Sequence, residues 1–131
     1  DERQVLLLRL LPVSGQWVFS GSALQWATPI EPFYDLVVFL WLDPAVRMQR
    51  LRRREAARYG KRIEAGGDMA AAGVDFLNWA EAYDVAGPEQ RSLIGHEAWL
   101  ASLKVPVLRL DSSVPLEDLV FAVLSRLHDG P

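Results

Sequence analysis

The chain has 131 residues, of which 50% are hydrophobic and 24% charged, and its formal net charge is −3. This length and composition are typical of one folded domain over residues 1–131. The chain is too short for two ordinary domains. The acidic balance argues against a protein that its overall charge recruits to nucleic acid or to an anionic membrane. The absence of cysteine excludes a disulfide scaffold and a thiolate metal site, and favours a cytoplasmic protein.

The first part of the chain predicts one helix and two strands. Residues 1–13 hold a dense apolar run, which suits a helix packed on a sheet. Trp17–Phe19 is β-prone and is followed by Gly21 between two serines, a pattern typical of a strand that ends in a tight turn. The seven residues from Leu36 to Leu42 are apolar without alternation, which predicts a strand buried on both faces. Such a strand belongs in the middle of a parallel sheet.

The second part predicts four helices and one more strand. Asp43 and Pro44 predict the N-cap and first residue of a helix that runs to about Tyr59 and ends at Gly60. Two helices follow, one with Val74, Leu77 and Tyr83 in its apolar stripe and one over 88–103, before a strand over 105–110. The last helix carries apolar residues at helical spacing: Leu116, Leu119, Val120, Val123 and Leu127. Strands separated by helices predict an α/β fold with a parallel sheet and right-handed crossovers.

Basic residues concentrate on the helix after Asp43. Eight of the fourteen Lys and Arg residues fall between Arg47 and Arg62. Arg50 and Arg54 lie four apart and therefore share a helix face, and Arg47 and Arg58 extend the row. Such a row can donate paired hydrogen bonds to polyphosphate oxygens. The alternative is a basic helix whose arginines are simply solvated. From the spacing alone, this alternative is favoured over a phosphate-binding row.

A second candidate site follows the first predicted strand, because ligands of open parallel sheets bind beyond the carboxyl ends of the strands. Gly21, between Ser20 and Ser22, would admit a substrate closely, and an ordinary turn is the alternative. Trp26 is either a stacking platform or a cover on the core. His96 has no second His or Cys near it in the sequence, so we expect a helix-surface residue there and no metal ligand.

A series of segments along nearly the whole chain carries a resemblance to a known family. The segments are Trp17–Ser22, Asp35–Leu40, Asp43-Pro44, Arg50 with Arg54 and Arg58-Tyr59-Gly60, Phe76–Ala80, Tyr83-Asp84, Arg91-Ser92, His96–Leu100 and Pro106–Leu110. In these segments the sequence resembles the adenylate-kinase-like and shikimate-kinase-like P-loop proteins of bacteria, which are often labelled AAA-type ATPases. The resemblance implies a three-layer α/β fold, in which helices cover both faces of a parallel sheet.

The resemblance also implies a function and its residues. Proteins of this family bind ATP and Mg²⁺ and, by analogy, transfer phosphate to a nucleoside, a nucleotide or a small metabolite. The segment of about 47–68 then looks like the mobile lid. By position, Arg50 and Arg58 are expected to contact the nucleotide, Arg54 the transferred phosphoryl group, and Arg91 further phosphate charge. Ser20, Gly21, Ser22 and Trp26 match the place where related kinases hold the acceptor.

The sequence departs from the family at one essential feature. Members begin with a strand and a glycine-rich phosphate loop, and neither occurs in these 131 residues. Gly60-Lys61-Arg62 lacks the first glycine of that motif and follows a helix. Phosphoryl transfer depends on positioning and charge neutralisation, much of which the loop supplies, so we expect the isolated chain not to be a competent kinase. A missing N-terminal segment or a second copy of the chain would complete the sheet.

Two other functions stay open beside a kinase-like ATPase with a nucleotide and a small-molecule acceptor as partners. One is a non-catalytic interaction or regulatory module. The other is an RNA-binding fragment, against which the acidic remainder and the lack of aromatics among the arginines count. A membrane partner is not expected, since the longest apolar stretch falls far short of the ~20 residues of a membrane helix.

Overall fold

The computed structural model describes residues 2–11, 15–22, 24 and 26–128. Its regular elements are α1 (Glu2–Leu10), β1 (Val37–Trp41), α2 (Pro44–Tyr59), α3 (Ala70–Glu81), α4 (Leu93–Ser102), β2 (Val107–Asp111) and α5 (Leu116–His128). Short 3-10 helices cover Thr28–Phe33, Gly60–Ile63 and Ala82–Asp84. The predicted end of the first helix, at residues 12 and 13, lies outside the described residues. No helix in the described part of the chain is long and apolar enough to cross a lipid bilayer.

Helix α2 begins and ends where the sequence predicts. The carboxylate of Asp43 accepts hydrogen bonds from the backbone N–H groups of Ala45 and Val46, at 2.9 and 3.2 Å. These bonds satisfy donors that a helix N-terminus otherwise leaves open. At the other end Gly60 adopts a φ of 53°, and its N–H donates to the carbonyl of Ala56. Glycine is the residue that adopts this left-handed conformation with least strain, so the helix stops there.

The two strands pair in parallel, in a register that runs from Val37 opposite Val107 to Trp41 opposite Asp111. The strand predicted over 105–110 is therefore confirmed with a small shift, and Pro106 lies just before it. Among the described residues each strand has one neighbour, so each leaves one backbone edge open. The expectation that β1 is buried on both faces is wrong, because Val37–Phe39 are only half-buried and Leu40 and Trp41 are exposed. A three-layer fold needs further strands and stays a prediction.

The strand predicted at Trp17–Phe19 is wrong for this structure. Residues 16–20 have no regular secondary structure, because no strand of the described sheet runs beside them to exchange backbone hydrogen bonds. Their rings pack into a small core around the fully buried Ile30 and its neighbour Ala27. Trp17 makes an edge contact with Tyr34, with centroids 5.9 Å apart. The segment is thus fixed by aromatic packing.

Helix α4 starts at Leu93, five residues later than predicted from Pro88, because Ser92 is its N-cap. The Ser92 hydroxyl accepts from the backbone N–H of Gly95 at 3.2 Å and donates to the carbonyl of Gly87 at 2.8 Å. The Ser92 side chain is fully buried. Both hydrogen bonds hold residues 87–92 as a turn, and this turn places Arg91 at the start of α4.

The apolar stripes of two helices are less buried than predicted. Val74 on α3 is exposed. Helix α5 packs on β2 and half-buries Leu119 and Val123. The remaining predicted stripe residues of α5 are exposed, namely Leu116, Val120 and Leu127, together with Phe121. The described residues therefore present an apolar helix face to solvent.

Candidate phosphate-binding site

A cavity of about 310 Å³ lies between α2, α3 and the turn before α4. Helix α2 contributes Arg47, Leu51 and Arg54, which recur at helical spacing and so share one face. The opposite wall is formed by side chains of α3, the following 3-10 helix and the turn: Phe76, Trp79, Ala80, Tyr83 and Arg91. Three guanidinium groups and three aromatic rings thus surround one space.

Each of the three arginines stands over one of these rings. The guanidinium carbon of Arg47 lies 5.1 Å from the centroid of Tyr83. The corresponding distances are 5.7 Å from Arg54 to Phe76 and 5.4 Å from Arg91 to Trp79. Such cation–π contacts attract a guanidinium to the ring and leave its positive charge intact. The rings therefore orient the three cations without neutralising them.

The carboxylates near the cavity neutralise only part of this charge. Arg47 forms an ion pair with Asp84, while its buried Nε has no hydrogen-bond partner among the described groups. Arg54 Nε donates to Glu55 at 3.1 Å, and Glu55 is itself buried. Among the ion pairs of the described residues, none involves Arg91. The cavity is therefore cationic, which favours an anionic ligand with several oxygens.

The structure brings together some of the predicted arginines and separates others. Arg54 and Arg91, predicted from distant parts of the sequence, line the same cavity. Arg50 does not line it, because its guanidinium donates to the carbonyl of Ser112 after β2, at 3.0 Å. Arg58 stands over the ring of Tyr59, at 5.3 Å, and lines a neighbouring cavity of about 210 Å³. That cavity also includes Arg54, so Arg54 lies between the two spaces.

Arg47 is the cavity residue that the sequence prediction placed in the basic row but did not select for the site. The signal was present in the spacing. Residues seven apart in a helix differ by only about 20° around the axis, so Arg47 lies closer in direction to Arg54 than Arg50 does. In the sequence, Trp79 and Phe76 stand out only within the segment 76–80 that carries the family resemblance. Their role as ring partners follows from the packing of α3 on α2.

The segment predicted as a lid, about 47–68, consists of α2 and the connection to α3. Arg62 and Asp68 form an ion pair across this connection, with Arg62 Nε 2.9 Å from one carboxylate oxygen. The bond holds the pKa of Asp68 below its ordinary value. The connection is thus a small closed loop beside the second cavity, whose lining includes Tyr59, Ile63 and Met69.

The predicted acceptor loop does not line the cationic cavity, and His96 connects it to the cavity residue Tyr83. Gly21 adopts a φ of 140°, which side chains rarely tolerate, and the indole N–H of Trp26 donates to the carbonyl of Ser22 at 2.9 Å. Trp26 therefore fixes the turn, and the edge contact of its ring with Phe19 places it on the small core. The Ser22 hydroxyl lies 3.3 Å from Nε2 of His96.

His96 is half-buried, and the expectation of a helix-surface residue is wrong. Its Nδ1 lies 2.8 Å from the hydroxyl of Tyr83, a residue that lines the cavity. Burial, and then the positive charge of Arg91, lower the pKa of His96 below its ordinary value. Burial raises the pKa of Tyr83. Both shifts favour the neutral forms of the two groups, between which a hydroxyl and an imidazole can form a hydrogen bond.

The residues of this site suit the phosphate groups of ATP but not Mg²⁺. Three guanidinium groups suit phosphate oxygens. In the part of the chain that the structure describes, no cluster of three or more acidic or His side chains could hold a metal ion. We therefore assign no residue of this cavity to Mg²⁺ and derive no step through it.

Comparison with known proteins found a relative in Bacillus subtilis (strain 168), the uncharacterized protein YqaC. The two sequences are 40% identical over 129 residues, which are 98% of this chain and 72% of the relative. No protein-family model matches the sequence. No solved structure matches it either.

Proposed function

This chain belongs to the family of YqaC of Bacillus subtilis, and we propose that it is the phosphate-binding part of a kinase-like ATPase. The observation that carries the proposal is the cavity in which Arg47, Arg54 and Arg91 each stand over an aromatic ring. Of these, Arg91 has no carboxylate partner among the described residues and would meet an incoming phosphate most directly. The three-layer P-loop kinase fold and a cytoplasmic location are parts of the same proposal.

In the proposed reaction a hydroxyl oxygen of a nucleoside, a nucleotide or a small metabolite attacks the terminal phosphorus of ATP. The bond from that phosphorus to the oxygen of ADP breaks, ADP leaves with the electron pair, and the hydroxyl proton passes to solvent. The three arginines offset the negative charge on the transferred group, which is most of what a protein contributes to this chemistry. Ser20, Gly21, Ser22 and Trp26 hold the acceptor, and Arg50 and Arg58 remain candidates for nucleotide contacts outside the cavity.

The proposal is tested by calorimetric titration of the 131-residue chain with pyrophosphate. We expect weak binding, with Arg91→Ala lowering the affinity about ten- to hundredfold, since one charge-assisted contact contributes about 1.5–3 kcal/mol. Arg52→Ala is the matched control, because Arg52 is not among the residues that line the cavity and it approaches Glu81 at 3.9 Å. Equal affinities for the two variants would overturn the proposal.

Mg-ATP is expected to bind much more weakly than micromolar, because the sequence has no glycine-rich phosphate loop.

A second candidate function is a non-catalytic interaction module, favoured by the exposed apolar residues of α5. Contiguous apolar surface of this kind marks a docking face. Its partner would be a missing segment or a second copy of the chain. Binding of another chain without any pyrophosphate affinity would favour this function over the kinase-like one. RNA binding would be recognised in a separate titration by an affinity that falls steeply with added salt.

A further inference from the structure

The side chain of His96 bridges two parts of the molecule that are remote in sequence. One ring nitrogen, Nε2, lies 3.3 Å from the hydroxyl of Ser22 in the acceptor loop. The other, Nδ1, lies 2.8 Å from the hydroxyl of Tyr83. The imidazole also packs against the rings of Phe39 and Tyr83, with centroids 6.0 and 5.6 Å away. His96 is therefore held from three elements while it contacts both the loop and the cavity wall.

Neutral imidazole is suited to such a bridge because it donates from one nitrogen and accepts at the other. Hydroxyl groups accept and donate, so Ser22 and Tyr83 can complete the chain in either tautomer. The ring of Tyr83 in turn makes a cation–π contact with the guanidinium of Arg47. Two hydrogen bonds and one cation–π contact thus lead from the acceptor loop to an arginine of the cavity.

We propose that His96 is a positioning residue that holds the Ser22 loop against the cationic cavity. This inference rests on the proposed function and deepens it. Because His96 joins Ser22 to the cavity residue Tyr83, an anion in the cavity alters the loop that would hold the acceptor. The coupling is reciprocal, as it must be for any two linked binding events.

The charges around His96 determine whether an anion in the cavity raises or lowers the pKa of His96. Arg91 disfavours the protonated imidazole and Glu97, on the same helix, favours it. Beyond these lie the Arg47–Asp84 pair behind Tyr83, and Arg109, which stands over Phe39 and binds Glu97. A dianion in the cavity offsets the charge of Arg91. It should therefore raise the pKa of His96, and the anion should bind more tightly as His96 becomes protonated.

The probe is sulfate, which stays a dianion throughout the titration range of histidine. The chain has two histidines, so the imidazole signals of His96 and His128 are readily followed by NMR as a function of pH. We expect saturating sulfate to raise the pKa of His96 by about 0.5, which corresponds to about threefold tighter sulfate binding to the protonated form. The signals of His128, which hydrogen-bonds within α5, serve as the internal control.

The indole N–H signals report the coupling directly. Trp79 lies in the cavity wall, and Trp26 donates to the carbonyl of Ser22 in the loop. Sulfate should shift both signals in the wild-type chain, and His96→Phe should abolish the shift at Trp26 while Trp79 still responds. His96→Gln, which keeps a donor and an acceptor, should restore part of the Trp26 response and serves if His96→Phe fails to fold. His128→Phe should behave as wild type.

Three outcomes would overturn the inference, and they separate it from the proposed function. If sulfate shifts neither indole signal, the cavity does not bind the anion, and the proposed function fails with the inference. If Trp79 responds while Trp26 and the pKa of His96 do not, only the inference fails. A Trp26 response that persists in both His96 variants also overturns it, because the coupling then bypasses His96.

Discussion

Arg47 and Arg54 lie seven residues apart on α2 and line the same cavity, although Arg50 between them points to the end of β2. Helix geometry places Arg47 and Arg54 within about 20° of each other, whereas the hydrogen bond to the carbonyl of Ser112 keeps Arg50 out of the cavity. The packing of Tyr83 and Phe76 against the two guanidinium groups then fixes which of the basic residues face the cavity. A surface helix rich in arginine thus presents two cations to one ligand space.

The first prediction concerns turnover in an intact relative that has the phosphate loop and an arginine at this position. Replacing the residue equivalent to Arg54 by Ala should lower ATP turnover by roughly 10³-fold, because an arginine at a transferring phosphoryl group contributes that much. Arg52 differs in direction by about 200°, and its replacement should leave the rate unchanged. Arg54→Lys keeps the charge without the planar fork and should fall between. Similar rates for the Arg54→Ala and Arg52→Ala variants at matched folding would exclude the role of Arg54.

The second prediction concerns stability. Arg47 and Asp84 are 19% and 21% exposed, so Arg47→Ala leaves a largely buried carboxylate without its partner. We expect a loss of about 1–3 kcal/mol in the free energy of unfolding, measured by urea denaturation. Arg62→Ala removes an ion pair whose side chains are both mostly in solvent, and should leave the urea midpoint unchanged within error. An unchanged midpoint for Arg47→Ala would show that the Asp84 carboxylate is not buried as described.

The third prediction is a pH dependence of stability. The lowered pKa of His96 means that the unfolded chain binds a proton more readily than the folded chain. The contribution of His96 to the free energy of unfolding should therefore be complete above about pH 6.5 and should decrease as the pH falls toward the folded-state pKa. Urea denaturation at about pH 7.5 and about pH 5.5 measures this decline while most carboxylates stay ionised. His96→Gln should reduce the decline, whereas an equal reduction in His128→Gln would argue against His96 as its source.

The fourth prediction concerns the exposed apolar face of α5 and the open strand edges. Phe121 is 73% exposed on that face. Open edges and apolar surface favour association, so we expect self-association that increases with concentration in analytical ultracentrifugation. Phe121→Lys should weaken it, whereas Val18→Lys, at an exposed position far from α5 in the sequence, should not. A chain that stays monomeric up to high concentration would contradict this prediction.

Elements whose boundaries depend on neighbouring residues could be predicted from the amino-acid sequence. The range of α2 could be predicted because Asp43 supplies its N-cap, Pro44 its first residue and Gly60 a left-handed end. Strand β2 could be placed because a short apolar run is bounded by Pro106 and Asp111. Capping and turn chemistry act over a few residues, so they are visible in the sequence.

Contacts between residues that are remote in sequence depend on the packing of the elements and could not be predicted. The extended segment Trp17–Phe19 has strand propensity, yet a strand needs a partner edge, and the described sheet places none beside it. Neither the Ser22–His96–Tyr83 bridge nor the contact of Arg91 with Trp79 follows from spacing, because each joins different elements. Local sequence thus set the caps and helix faces, whereas long-range packing selected Arg47 over Arg50 and placed His96 between the loop and the cavity.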